Sequence, residues 1–223
     1  MPQPLDAPNG ILKQASVTLS PNPERKLIRP GSCHRHVDFQ LAVVPAARTS
    51  GPSRVPVRLA LVLDRSGSMT GGKLDLAKRA ALLALDRLGP KDVVAVVVFD
   101  DKIEVILSAA PASPDVKVRV RVALMMIQPR AWTALHEGWL VGASEIASGD
   151  LETASPAVSR VFLLTDGQAN AGVVDSEAIA SQAADIRATT GIGTSTFGIG
   201  SDYNEGLLGP MAVAGGGQFH HLR

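Results

Sequence analysis

Three oxygen-bearing side chains stand at alternate positions in Asp64-Arg65-Ser66-Gly67-Ser68, directly after the apolar run VRLALVL at 57–63. A second carboxylate, Asp166, follows the run RVFLLT at 160–165, and Thr133 lies between them, just before a helical pattern that starts at 134. Alternation along a tight turn lets Asp64, Ser66 and Ser68 converge on one point, and Gly67 is expected to supply the bend. Two carboxylates, three hydroxyls and no soft ligand suit a hard divalent cation, magnesium or manganese ahead of calcium. Taken singly, each of these residues reads as well as a helix cap, Thr133 above all. As a set they do not, because Asp-x-Ser-x-Ser closing one apolar strand while Thr-Asp-Gly closes another is hard to reach by accident.

The rest of the chain must hold those residues. From Val57 the pattern is strand, helix, strand. A helix is expected over 72–88, with Leu76, Ala80 and Leu83 at three- and four-residue spacings and a stop at Gly89-Pro90. DVVAVVVF (92–99) is apolar on both faces, as an interior parallel strand would be, and KIEVILS (102–108) reads as an antiparallel edge. Residues 115–127 alternate valines like a strand, yet Ser113-Pro114 makes a good helix start, and a helix is expected there. Helices at 134–148, 176–189 and 204–213 and strands at 160–165, 194–199 and 218–222 complete the reading. Strands alternating with helices imply an α/β fold: a Rossmann-like, doubly wound, mostly parallel sheet of six strands with one antiparallel edge strand and helices on both faces.

Residues 1–56 differ, holding nine of the chain's 15 prolines. Short strands are expected at 15–19, 25–29 and 35–44, where Val37, Phe39, Leu41 and Val43 alternate with more polar residues. Three short strands cannot bury a core of their own. The expected division is therefore a β-strand-rich extension, 1–56, packed on a main domain, 57–223.

Composition narrows the function classes. The 223 residues carry 22 Lys+Arg and 21 Asp+Glu for a net charge of +1, so no basic field points to nucleic acid. Aromatic residues, at 4%, are too few for a base-stacking platform. A single cysteine, Cys33, excludes an intrachain disulfide and a cysteine-rich zinc site. No apolar run approaches the length of a membrane span and the start, MPQPLDAPNG, has no basic-then-apolar leader, so a soluble, cytoplasmic chain is expected. Ser66, His136 and Asp166 could be recruited on paper as a hydrolytic triad, but no Gly-x-Ser-x-Gly occurs and metal-bound hydroxyls serve poorly as nucleophiles. The expectation is no enzyme. Lys73, Lys78 and Arg79 read as a solvated helix face, Gly191-x-Gly193 as a helix stop, and the histidines at 34, 36, 220 and 221 as ordinary strand residues.

Residues 57–222 resemble a von Willebrand factor type A domain, in the bacterial and inter-alpha-trypsin-inhibitor heavy-chain branch. Asp64-x-Ser66-x-Ser68, Thr133 and Asp166 match that family's metal-ion-dependent adhesion site (MIDAS). The resemblance implies that Ser66, Ser68 and, in some states, Thr133 ligate the metal through hydroxyls, and that Asp64 and Asp166 act directly or through water. It leaves one coordination position for an exposed Asp or Glu of a protein partner. Two departures stand out. Arg130-Ala131-Trp132 replace the glycines usual before the Thr, which puts Trp132, with Arg65, on the expected ligand rim; the alternative for Trp132 is packing under the loop. The closing helix usual after the last strand is not seen before Arg223, and with strand-rich 1–56 this suggests a piece of a longer protein carrying half of a small β-sandwich. The expected function is a metal-dependent protein-interaction module. The alternatives are a regulatory subunit of an ATPase-driven chelatase or cofactor-activating complex, and a structural domain whose metal site is vestigial.

Overall fold

The alternation of apolar strands and amphipathic helices from Val57 onward resolves into a sheet with helices on both faces. The structure, a computed structural model, describes residues 16–23, 37–44, 54–130, 132–147, 157–168 and 171–223. The chain divides into two units, Met1–Arg54 and Val55–Arg223. In the first, β1 (Ser16–Pro23) pairs antiparallel with β2 (Val37–Val44), Ser16 opposite Val44 and Pro23 opposite Val37. Pro21 and Pro23 are two apart, so their missing N–H groups fall on one edge of β1, a place where a strand tolerates them. The strand expected at 25–29 and the residues Cys33, His34 and His36 lie outside the described residues.

The second unit runs β3 (Val57–Asp64), α1 (Lys73–Arg87), β4 (Val93–Phe99), β5 (Ile103–Pro111), α2 (Pro114–Met126), α3 (Leu135–Ala147), β6 (Val158–Thr165), α4 (Ser176–Thr190), β7 (Gly193–Ile199), α5 (Glu205–Ala214) and β8 (Gly216–Leu222). The six strands lie in the order β5-β4-β3-β6-β7-β8, all parallel except β5, which runs antiparallel along the β4 edge. β4 is buried along all seven residues, as its unbroken valine-rich run requires. The helix expected at 115–127 is α2; Ser113 Oγ accepts from the Val116 amide and Pro114 opens the helix. Gly191, at φ 72°, ends α4 as a left-handed cap. Among the described residues no helix is long and apolar enough to cross a membrane.

Each central strand serves two cores. Leu59, Leu61 and Leu63 of β3 face α1 and α2, while Ala60 and Val62 face α3, α4 and α5. The stripe of α1 that is buried is Leu74, Ala77, Ala81 and Leu85; Leu76 and Ala80 are only partly covered and Leu83 is 66% exposed. Leucine and alanine crowd most of this helix, so spacing alone allows two stripes, and contact with β3 selects one.

On the opposite face α3 lies close against the sheet because it carries glycine at Gly138 and Gly142. A Cβ at Gly142 would run into Val62 Cγ2, and one at Gly138 would meet the Phe99 ring at 2.6 Å. Helix propensity favours Gly142→Ala by about 1 kcal/mol, whereas overpacking a filled core costs about 1–3 kcal/mol. Overpacking wins. Gly142→Ala is expected to lower the urea midpoint, and an unchanged or raised midpoint would show that α3 can retreat freely from β3.

Candidate metal centre

β3 is the strand from which the chain turns both ways: the next strand, β4, lies on one side, and after α3 the chain returns to β6 on the other. At such a switch point the loops leaving two neighbouring parallel strands diverge and open a crevice at their carboxyl ends. Asp64 is the last residue of β3, and Asp166 directly follows β6. The two carboxylates are thus brought together by strand pairing. Both are fully buried.

Past Asp64 the backbone makes one 3₁₀ turn, Gly67–Met69, anchored by the fully buried Met69 side chain. Gly67 opens this turn without a positive φ; the left-handed positions are Gly71 and Gly72, at φ 68° and 94°, which reverse the chain into α1. The Ser66 amide donates to Asp64 Oδ1 at 2.7 Å, and the Thr165 hydroxyl donates to Asp64 Oδ2 at 2.6 Å. Ser66 Oγ lies 3.1 Å from Ser68 Oγ, and Ser68 Oγ donates to Asp166 Oδ1 at 3.2 Å. These oxygen–oxygen spacings are close to the roughly 3 Å that separates neighbouring ligands of an octahedral cation with bonds of 2.0–2.1 Å. The donor set fits magnesium or manganese. Among the described residues no group of three or more His, Cys, Asp or Glu could hold a metal, so a cation here relies on hydroxyls alongside two carboxylates.

Thr133 is almost fully buried, in the loop between α2 and α3. Its carbonyl accepts from the Ala171 amide at 3.2 Å, and the next amide, Ala134, donates to the Asp100 carbonyl at 2.8 Å. The loop bearing Thr133 is therefore tied on one side to the loop after β6 and on the other to the end of β4. Trp132, immediately before it, is 63% exposed.

Arg65 departs from its expected place on the ligand rim. It is 6% exposed, and its guanidinium donates to Asp100 Oδ2 through Nε and to Glu104 Oε2 through Nη1, both at 2.9 Å. Its neighbours Asp64 and Ser66 aim their side chains at the oxygen cluster, which leaves Arg65 pointing down the β4–β5 edge. Asp100 also receives Arg130 Nε at 3.1 Å, and the Arg130 amide donates to the Arg65 carbonyl at 2.7 Å. One buried carboxylate thus joins the Asp64–Ser68 loop to the loop carrying Thr133. Burial opposes its charge, but the Lys102 amide and Arg65 outweigh that and hold the Asp100 carboxyl below the usual range.

Lys73 and Lys78 also depart from expectation, since neither faces open solvent. Lys73 Nζ lies 3.1 Å from Asp166 Oδ2 and 2.7 Å from Asp202 Oδ1, and Lys78 Nζ donates to the Ile127 carbonyl at 2.7 Å. Composition marks none of the supporting residues Thr165, Asp100, Asp202 and Lys73. Nearness in sequence to the motif is the one usable signal, and it reaches only Lys73 and Thr165. Of the histidines set aside, His221 Nε2 lies 2.6 Å from the Gly200 carbonyl and His220 stacks on Phe197.

Burial raises the Asp64 carboxyl to about 6, against hydrogen bonds that favour its charge. A carboxyl raised on folding stabilises the metal-free protein fully below its unfolded value of about 3.8, and that contribution is lost as the pH rises through about 6. The stability of wild type relative to Asp64→Asn, both in EDTA, is therefore expected to fall by about 3 kcal/mol across that window. A difference that stays level in urea titrations at successive pH values would refute it. At the other node, Asp100→Asn takes the buried counter-charge from Arg65, leaving it only the half-exposed Glu104, and is expected to cost about 3 kcal/mol, whereas Glu104→Gln at the exposed end costs under about 1 kcal/mol. Equal midpoints for the two variants would show that Asp100 is no anchor.

The von Willebrand factor type A domain model matches residues 59–221. An uncharacterized protein of Synechocystis sp., sll0103, is 31% identical over 185 residues, covering 82% of this chain and 42% of that protein. Human inter-alpha-trypsin inhibitor heavy chain H4 is 28% identical over 172 residues, covering 75% of this chain and 18% of its own. The chain thus spans less than half the length of either relative. A von Willebrand factor type A structure from Catenulispora acidiphila superposes with a TM-score of 0.63 at 22% identity, covering 96% of this chain and 47% of the other. Proximal thread matrix protein 1 of the mussel byssus, in a form with a zinc-occupied MIDAS motif, gives 0.57 at 22% identity over 75% of this chain and 41% of its own.

Proposed function

The chain belongs to the von Willebrand factor type A domain family, and from that premise we propose that it is a metal-ion-dependent protein-interaction module and not an enzyme. The family serves metal-dependent protein interaction, and the finer reading for this chain rests on one observation. Ser66, Ser68 and Asp166 place three side-chain oxygens within hydrogen-bond reach at a sheet switch point, Asp64 meets them through the Ser66 amide, and Thr133 is held in an adjoining loop. Ser66, Ser68 and Thr133 are assigned as hydroxyl ligands, and Asp64 and Asp166 as the charges that retain the ion, directly or through water.

Magnesium or manganese is the cation favoured by an all-oxygen donor set. When bound, it supplies a concentrated positive charge with a coordination position for one further oxygen, and an exposed Asp or Glu of a protein partner is the ligand that matches. The protein's own part is to hold the donors in place and keep them largely out of water, which strengthens each charge interaction. Trp132, exposed beside Thr133, offers the apolar anchor that protein interfaces favour.

Calorimetric titration with MnCl₂ and MgCl₂ tests the assignment. Wild type is expected to bind one equivalent, and Asp64→Ala, if still folded by circular dichroism, to bind at least tenfold more weakly. Equal uptake by the two proteins would remove the site from Asp64. Partner capture from lysate is expected to vanish with EDTA and to weaken in Trp132→Ala at unchanged metal affinity; capture indifferent to EDTA would count against a metal-bridged interaction.

A further inference from the structure

Lys73 is the cation beside the oxygen cluster, and three features place it there. The turn through Gly71 and Gly72 makes it the first residue of α1. Its stem crosses Gly200, where a Cβ would come within 2.8 Å of Lys73 Cε at a backbone φ of 88°. Its ammonium then bridges two carboxylates of unlike surroundings, the fully buried Asp166 and the largely exposed Asp202, whose side chains are 0% and 63% exposed.

The two oxygens of Asp166 are divided between neighbours. Oδ1 takes the Ser68 hydroxyl of the candidate metal cluster and the Gln168 amide, both neutral donors, and Oδ2 takes the one charged partner, Lys73. A buried carboxylate without a counter-charge is strongly unfavourable, so without a cation at the cluster the ammonium is the group that compensates Asp166. A divalent cation at the hydroxyls draws on the same carboxylate and repels the ammonium. Asp202 gives the lysine somewhere to go, because the same Nζ already touches it and an exposed ion pair is easily formed or broken.

We propose that Lys73 is a tethered counter-ion that neutralises Asp166 in the metal-free site and shifts onto Asp202 when the metal binds, so that the Lys73–Asp202 pair sets the metal affinity. This rests on the metal reading above and concerns how that site is regulated. The lysine acts as a built-in competitor for one ligand. Asp202 counteracts it by offering the ammonium an alternative partner.

Manganese titration of wild type, Lys73→Met, Asp202→Asn and the double variant tests this, with thermal melts in EDTA and in excess Mn²⁺. Methionine keeps most of the stem over Gly200 and removes the charge. Lys73→Met is expected to bind Mn²⁺ about tenfold tighter, the scale of repulsion between a dication and an ammonium a few ångströms apart in a wet site. It should melt below wild type in EDTA and lose that deficit in excess Mn²⁺. Asp202→Asn should weaken Mn²⁺ binding several-fold, and that effect should vanish when Lys73 is already methionine. A lysine that merely braces α1 would lower both melts and leave affinity unchanged, and that result overturns the proposal. Should Lys73→Met fail to fold, Asp202→Asn decides from its exposed position, and unchanged affinity there also overturns it. Wild type that binds Mn²⁺ with no gain in folded Lys73→Met rejects the counter-ion role and leaves the metal site standing; absence of binding in wild type rejects both.

Discussion

Two carboxylates that lie side by side out of water set the terms for everything at the carboxyl edge of this sheet. Asp64 and Asp166 come to the same end of the sheet because β3 and β6 pair in parallel, and both are fully buried. Neither charge is stable there without compensation. Asp64 is served by the Thr165 hydroxyl and the Ser66 amide, yet burial still raises its carboxyl to about 6. Asp166 is served by Ser68, the Gln168 amide and Lys73. Of the two, Asp64 is the carboxyl left least compensated, and the divalent cation proposed above would supply there what dipoles do not.

The sheet holds these carboxylates in a rigid surround. β3 and β4 are buried on both faces, so the end of β3 cannot shift without moving two cores. The close approach of α3, made possible by Gly138 and Gly142, fixes the helix that follows Thr133. Asp100 then locks the two loops to each other through Arg65 and Arg130. A buried ion pair of this kind adds little net stability over an apolar contact of equal volume. Its effect here is to tie the loop after β3 to the loop that carries Thr133.

Much of this was legible in the amino-acid order. Local patterns determined the α/β class, the antiparallel edge strand and the helix at Pro114–Met126, because strand burial and helix capping depend on residues close in sequence. The placing of Asp64 and Asp166 at the ends of two apolar strands was legible in the same way. Tertiary structure decided the rest. Arg65 looked like a rim residue until Asp100, 35 positions away, drew it inward. Lys73 looked solvated until Asp166, 93 positions away, received its ammonium. The buried stripe of α1 was settled by β3 and not by its own spacing. Short-range periodicity records which residues can be covered, whereas the partner of a charge, and the face a leucine-rich helix turns inward, depend on groups the fold brings from far along the chain.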